Sequence, residues 1–223
     1  MLAFIENPNL LIKEFSELIK VSQRKAFITI GIELLKEEIE VLKKYREDLS
    51  TLKKSFVDRE LENEANLVFC IENAVFAIQC ELEMLVHIKE DCMSEAWAKL
   101  VLAQVTVGSA MRNFPFDPDY LTDYLSRLDV YEKLLFPHFN FSSAGYIIKK
   151  SLCSICKADY GQCEHIKGKV YMGQMCCREI VEADLEEFSY VENPANKLCR
   201  DISYTVNGKT FDVMTLREIK KEE

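Results

Sequence analysis

Residues 153–165 read CSICKADYGQCEH, a C-x2-C-x6-C-x-H pattern, and no other stretch restricts the fold of the chain as tightly. A tetrahedral zinc ion takes four thiolate or imidazole ligands, and a C-x2-C turn lets two sulfurs reach one ion while intervening backbone amides hydrogen-bond them. Cys163 and His165 stand two apart on an extended segment, so they point to the same side and supply the remaining two donors. The expected ligands of a single Zn2+ are therefore Cys153, Cys156, Cys163 and His165. With all four positions filled by protein there is no room for a reactive water, and the expected role is structural. Cys176 and Cys177 follow closely, and either could stand in for His165. Adjacent cysteines seldom serve one ion together, and the first four donors are the more compact set.

Nine cysteines in all, an odd count, favour thiols and metal over a disulfide framework. The opening MLAFIENPNLLIKEF has neither the basic start nor the continuous apolar stretch of a secretory signal, so the expected location is cytoplasmic. Cys70, Cys80 and Cys92 fall in helical sequence and are expected to be small buried hydrophobes, as is Cys199 in the later part.

Ahead of the cysteine cluster the pattern is helical. Ile28, Leu35, Leu42, Leu49 and Phe56 recur every seven residues, joined by Ile32 and Ile39, which is a heptad-type seam of the kind found in coiled coils. Asp58 to Asp91 carries a wide apolar face suited to the inside of a bundle. A third helix is predicted over Met93 to Met111, capped by Ser94 and facing inward with Trp97, Leu100, Val101, Gln104 and Val107. Asp117 and Pro118 make a cap and first-turn pair for a helix that runs to about Leu135.

FPHFNFSSAGYIIKK, residues 136–150, loses the helical period, and His138 stands in it alone as a structural or solvent-facing residue. Beyond the cysteines the period moves toward two. Strands are predicted at Lys169 to Met172, Leu185 to Val191 and Ile202 to Val206, with Asn207-Gly208 as a type I′ hairpin turn. Thr215 and Glu218 form a capping-box pattern for a short final helix. The expected fold is α+β: an antiparallel helical bundle or hairpin (1–136), a linker (137–150) and a small zinc-stabilised mixed module (151–223).

The hydrophobic fraction of 48% supports a real core, and a net charge of -9 argues against broad coverage of nucleic-acid phosphates. Phosphate-loop, dinucleotide-binding, zincin and nucleophile-elbow motifs are all missing from the sequence.

From Cys153 onward, CSICKADYGQCEHIKGKVYMGQMCCREI…ADLEEFSYVENPANKLCR resembles a zinc-knuckle segment of proteins from bacteria and their tailed phages. The piece LEEFSYVENPAN, Leu185 to Asn196, is similar to the strand and turn near the end of the phage prohead (capsid-maturation) protease fold. That resemblance implies a serine peptidase ancestry. Ser189 is the serine inside the matching piece, but His165, the module's one histidine, is committed to zinc.

The leading expectation is a non-enzymatic, phage-associated or bacterial interaction protein, with helices for assembly and the zinc module for partner binding. Its helical seam would serve self-association or a partner helix. The second is nucleic-acid binding through Lys149, Lys150, Lys157, Lys167 and Lys169 beside Tyr160 and Tyr171. A third is a degenerate prohead-protease-like serine peptidase.

Overall fold

The computed structural model describes residues 8–115 and 119–219. It is an α+β protein, with five helices followed by short antiparallel sheets. The helices are α1 (Pro8–Lys25), α2 (Ile32–Asp58), α3 (Glu62–Lys89), α4 (Met93–Asn113) and α5 (Asp119–Leu135). No helix among the described residues is long and apolar enough to cross a membrane.

Helix α3 is the axis of the bundle. Its buried residues run all round its circumference, from Ala65 and Leu67 to Leu85 and Val86, because α2 and α4 flank it along its length and α1 also packs on it. The heptad seam supplies the α2 side: Leu35, Ile39, Leu42, Leu49 and Phe56 are all buried in the core, with Leu52 beside them. Ile28 lies in the turn before α2 and is exposed. The seam is thus spent inside the chain.

Helices α2 and α3 stop in the same way. Glu60 and Asp91 adopt left-handed φ values of 57° and 61°. Leu61 N then donates to Phe56 O (2.9 Å), and Cys92 N to His87 O (2.8 Å). Each is a Schellman turn built without glycine, and each reverses the chain within three residues. The second turn makes Cys92, rather than Ser94, the residue before α4, with no side-chain cap. Ser94 Oγ instead accepts from Arg200 Nη2 (3.3 Å). The inward side of α4 is as predicted, with Trp97, Leu100, Val101, Gln104 and Val107 buried. The Asp117-Pro118 start of the next helix lies outside the described residues.

Six strands follow: β1 (Phe141–Cys153), β2 (Val170–Tyr171), β3 (Gln174–Met175), β4 (Arg178–Val191), β5 (Ser203–Val206) and β6 (Lys209–Asp212). They pair as β1–β4, β2–β3 and β5–β6, all antiparallel. Residues 141–150, expected in a linker, belong to β1, and β4 begins seven residues before the predicted strand at Leu185. The β1–β4 ribbon runs in register from Phe141↔Val191 through Tyr146↔Leu185 to Cys153↔Arg178, with irregularities after Gly145 and around Lys150.

The root of the ribbon is tied to the bundle by aromatic packing. Phe136, Phe139 and Phe141 surround Trp97 with ring centroids 5.3, 4.7 and 6.3 Å away, and the indole N–H donates to Lys197 O (3.0 Å). The Asn207-Gly208 turn has φ of 51° and 78°, as a type I′ hairpin requires. The predicted final helix does not form within the described residues. Asp212 Oδ1 accepts from the backbone N–H groups of Met214 and Thr215 and from the Thr215 hydroxyl, while Glu218 is drawn into a bridge with Phe211. Cys70 and Cys80 are buried, Cys92 is half-buried, and Cys199 is exposed rather than in the core. His138 faces solvent.

Candidate metal centre

The cysteine loop lies between the far ends of β1 and β4. Cys153 is the last residue of β1, and the chain then turns so that Lys157 N donates to Cys153 O (2.9 Å), with Lys157 at a φ of 59°. A 3-10 turn at Tyr160–Gln162, capped by Asp159 Oδ1 accepting from Gly161 N (2.8 Å), brings the chain back to Cys163. His165 follows two residues later.

All four predicted ligands come together. The ligand atoms of Cys153, Cys156, Cys163 and His165 lie within 4.8 Å of one another, and the group could hold one metal ion. Cys156 Sγ is 3.4 Å from Cys163 Sγ, which is 3.1 Å from His165 Nδ1. Backbone amides point at the sulfurs: Ile155 N donates to Cys153 Sγ (3.4 Å) and His165 N to Cys163 Sγ (3.2 Å). These bonds favour thiolate and hold the sulfurs in place for a cation. The imidazole meets Tyr171 edge-on at 4.6 Å between centroids, and the Tyr171 hydroxyl accepts from Ile166 N (3.0 Å).

Thiol acidity follows the same geometry. Burial opposes ionisation of Cys153, but the amides of Cys156 and Ile155 and the thiols of Cys163 and Cys156 outweigh it and draw the group down to about 6. Burial, with the charge of Cys153 nearby, pushes Cys163 up to about 11. Cys153 is thus the readier of these two sulfurs to carry charge.

Of two further features, the first separates the alternative ligands raised by the sequence and the second escaped the sequence reading. Cys176 is fully buried with its Sγ 3.8 Å from that of Cys153, while Cys177 is exposed. The other is a pair of asparagines that clamp the loop to the bundle. Asn113, at the end of α4, donates to Gly168 O (2.9 Å) and accepts from Val170 N (3.1 Å). Asn66, near the start of α3, donates to Val170 O (3.2 Å) and accepts from Gly173 N (2.8 Å). Gly173 has a φ of +69°, and a Cβ there would stand 3.0 Å from the Lys53 stem and 3.3 Å from Ala65 O. Glycine lets the β2–β3 turn sit flush on the bundle.

No protein-family model, curated protein or solved structure matches the chain. The chemistry of the site therefore rests on its own geometry.

The lysines of the second expectation are spread along the module. Lys149 pairs with Asp184 (2.6 Å) and Lys157 with Glu179 (2.7 Å), while Lys150, Lys167 and Lys169 are exposed. Ser189 stands on β4 opposite Ser143, and among the described residues no histidine is hydrogen-bonded to it.

Proposed function

We propose that the chain is a non-enzymatic zinc-binding interaction protein, in which a structural zinc ion braces a β-ribbon that binds a protein partner. The observation that carries the reading is the four-donor cluster at the tip of the β1–β4 ribbon. Three sulfurs and an imidazole suit zinc above harder divalent ions. Four protein donors leave no open position, which favours bracing over catalysis.

The ribbon supports the interaction half of the reading. Opposed residues of an antiparallel pair share a face, so Tyr146 and Leu185 stand beside Phe188 and Tyr190 on one side, each more than half exposed. The opposite face begins at the buried Phe141. An exposed row of three aromatic rings and a leucine is a recognised mark of protein contact. Glu182 and Glu186 lie along the strand beside it, so the complementary surface carries Lys or Arg around an apolar centre. With the heptad seam buried, assembly through helices would have to use other surface, such as Leu102, Val105 and Val130.

Nucleic-acid binding has less support, because two of its five lysines are already paired and the ribbon beside them is acidic. The peptidase reading lacks a base for Ser189.

The test has two arms. Elemental analysis of the purified chain should find one zinc per molecule, lost in Cys156→Ser. A photo-crosslinking residue at position 188 should trap a discrete partner that Tyr146→Ser with Leu185→Ser abolishes while zinc content stays the same. Zinc without any ribbon-dependent partner would leave a stabilised fold and remove the interaction function.

A further inference from the structure

Resting on the metal reading above, we propose that the centre has five donors for four positions, and that Cys176 is a reserve ligand which replaces His165 on the same ion. The Cys153 and Cys176 sulfurs lie 3.8 Å apart. Two thiolates on one tetrahedral zinc, with Zn–S bonds of about 2.3 Å, are held roughly 3.8 Å apart. Cys176 therefore already has the spacing of a ligand beside Cys153. It is fully buried, and Cys153 Sγ is the polar atom it meets.

Its backbone is better anchored than that of the residue it would replace. Cys176 N donates to Lys169 O and Gly168 N to Cys176 O, each at 2.8 Å. The β2–β3 hairpin beneath is held by Asn66 and Asn113. His165 sits half-buried on an irregular stretch between Cys163 and the exposed Ile166 and Lys167. Cys177, next in sequence, is exposed and is not a candidate. Exchange keeps Cys153, Cys156 and Cys163 in place and turns a shell of three thiolates and one imidazole into a shell of four thiolates. One imidazole nitrogen leaves the ion, one thiol loses its proton to solvent, and the sulfur takes the vacated position. The exchange frees residues 164–167 from the metal while the ion stays bound.

Cobalt(II) substituted into the full-length chain is the probe, because the sulfur-to-cobalt charge-transfer band grows with each coordinated thiolate. The unaltered chain should show a three-thiolate band. His165→Ala should keep one cobalt per chain with the band about one third stronger, and His165→Ala combined with Cys176→Ala should bind at least 100-fold more weakly. Independently of whether His165→Ala folds well, Cys176→Ser should leave the resting spectrum unchanged and release zinc to a chelator several-fold faster. If His165→Ala binds as weakly as the double variant, or if Cys176→Ser releases zinc at the unaltered rate, the proposal is overturned. A four-thiolate band in the unaltered chain that falls to three in Cys176→Ala also overturns it, by making Cys176 a resident ligand. Failure of the unaltered chain to take up cobalt or zinc would instead overturn the metal reading itself.

Discussion

Removing the Asn113 side chain isolates the contact that joins the metal loop to the helices. Asn113→Ala deletes two hydrogen bonds to the loop backbone, those with Gly168 O (2.9 Å) and Val170 N (3.1 Å). The Gly168 bond is worth about 1 kcal/mol net, and losing the Val170 bond, which leaves a buried N–H unpaired, costs about 1–2 kcal/mol. Val170 is buried, so its amide meets that penalty. The expected cost is about 2–3 kcal/mol, felt as local opening of the loop from the bundle. At about 1.4 kcal/mol per factor of ten, amide exchange at Val170 in the zinc-loaded chain should accelerate roughly 30- to 150-fold. Amides in the middle of α3 should be unaffected. Asn113→Asp is the control: it retains an acceptor for Val170 N but sets an anion against Gly168 O, so it should rescue Val170 in part and leave the Gly168 side open. Hydrogen exchange read by NMR or mass spectrometry gives the answer. Protection at Val170 within threefold of the unaltered chain would refute the clamp.

Three further outcomes follow from the same geometry. Chelation with EDTA, or Cys156→Ser, should abolish protease resistance after residue 150 while the helical far-UV signal persists. Within the ribbon, protection should vanish first at Ser151 to Cys153 and last at Phe141 to Ser143, and a uniform loss would contradict anchoring from both ends. Glu81 is fully buried, and burial pushes its carboxyl up to about 7 despite Arg127 (2.7 Å) and Tyr124. Because the folded value lies above the unfolded one, native protein holds the extra proton and stability falls as pH rises from about 4.5 to 7, by roughly 3 kcal/mol. Glu81→Gln should flatten that slope in urea titrations across the window, and an unchanged slope would assign it elsewhere. Glu60→Gly, relieving a left-handed non-glycine residue at φ 57°, should raise stability by about 0.5–1 kcal/mol, measured as a higher urea midpoint with the same m-value.

What could be read in advance was what depends on near neighbours or on a period. The Cys153–His165 spacing, the Leu35–Leu42–Leu49 seam, the inward side of α4 and the Asn207-Gly208 turn are each specified within a few residues, and all four appear in the structure. The misses involve partners far along the chain or local competition. Asn66 and Asn113 meet residues more than 50 positions away, and nothing in their own neighbourhood signals it. The start of β4, REIVEAD, alternates poorly because this part of the ribbon is exposed on both faces, so the usual period-two signal is absent. Ser94 lost its capping role because the Schellman turn after α3 placed Cys92 at the helix start. The final helix lost its Thr215 cap to Asp212, which accepts from the same hydroxyl. Met172-Gly173, with φ of 45° and 69°, makes a tight hairpin turn without the Asn-Gly signature.

The dependence of the ribbon on its two ends would connect metal to partner binding in the proposed function. A lone two-stranded ribbon is marginal in water because one layer of cross-strand pairs barely offsets the entropy of ordering the backbone. The β1–β4 pair has no third strand among the described residues, and Tyr146, Leu185, Phe188 and Tyr190 stay more than half exposed in the free chain, so burial stabilises them little. Its order must therefore come from the ends, where Phe141 enters the Trp97 cluster and Cys153 opposite Arg178 meets the metal loop. The Asn66 and Asn113 clamps extend that second anchor to the bundle. An ion held at the tip would thus lower the cost of presenting an extended apolar row to the proposed partner. Binding there would bury the same row and in turn favour the zinc-loaded state, since anything that prefers the ordered ribbon strengthens whatever else orders it.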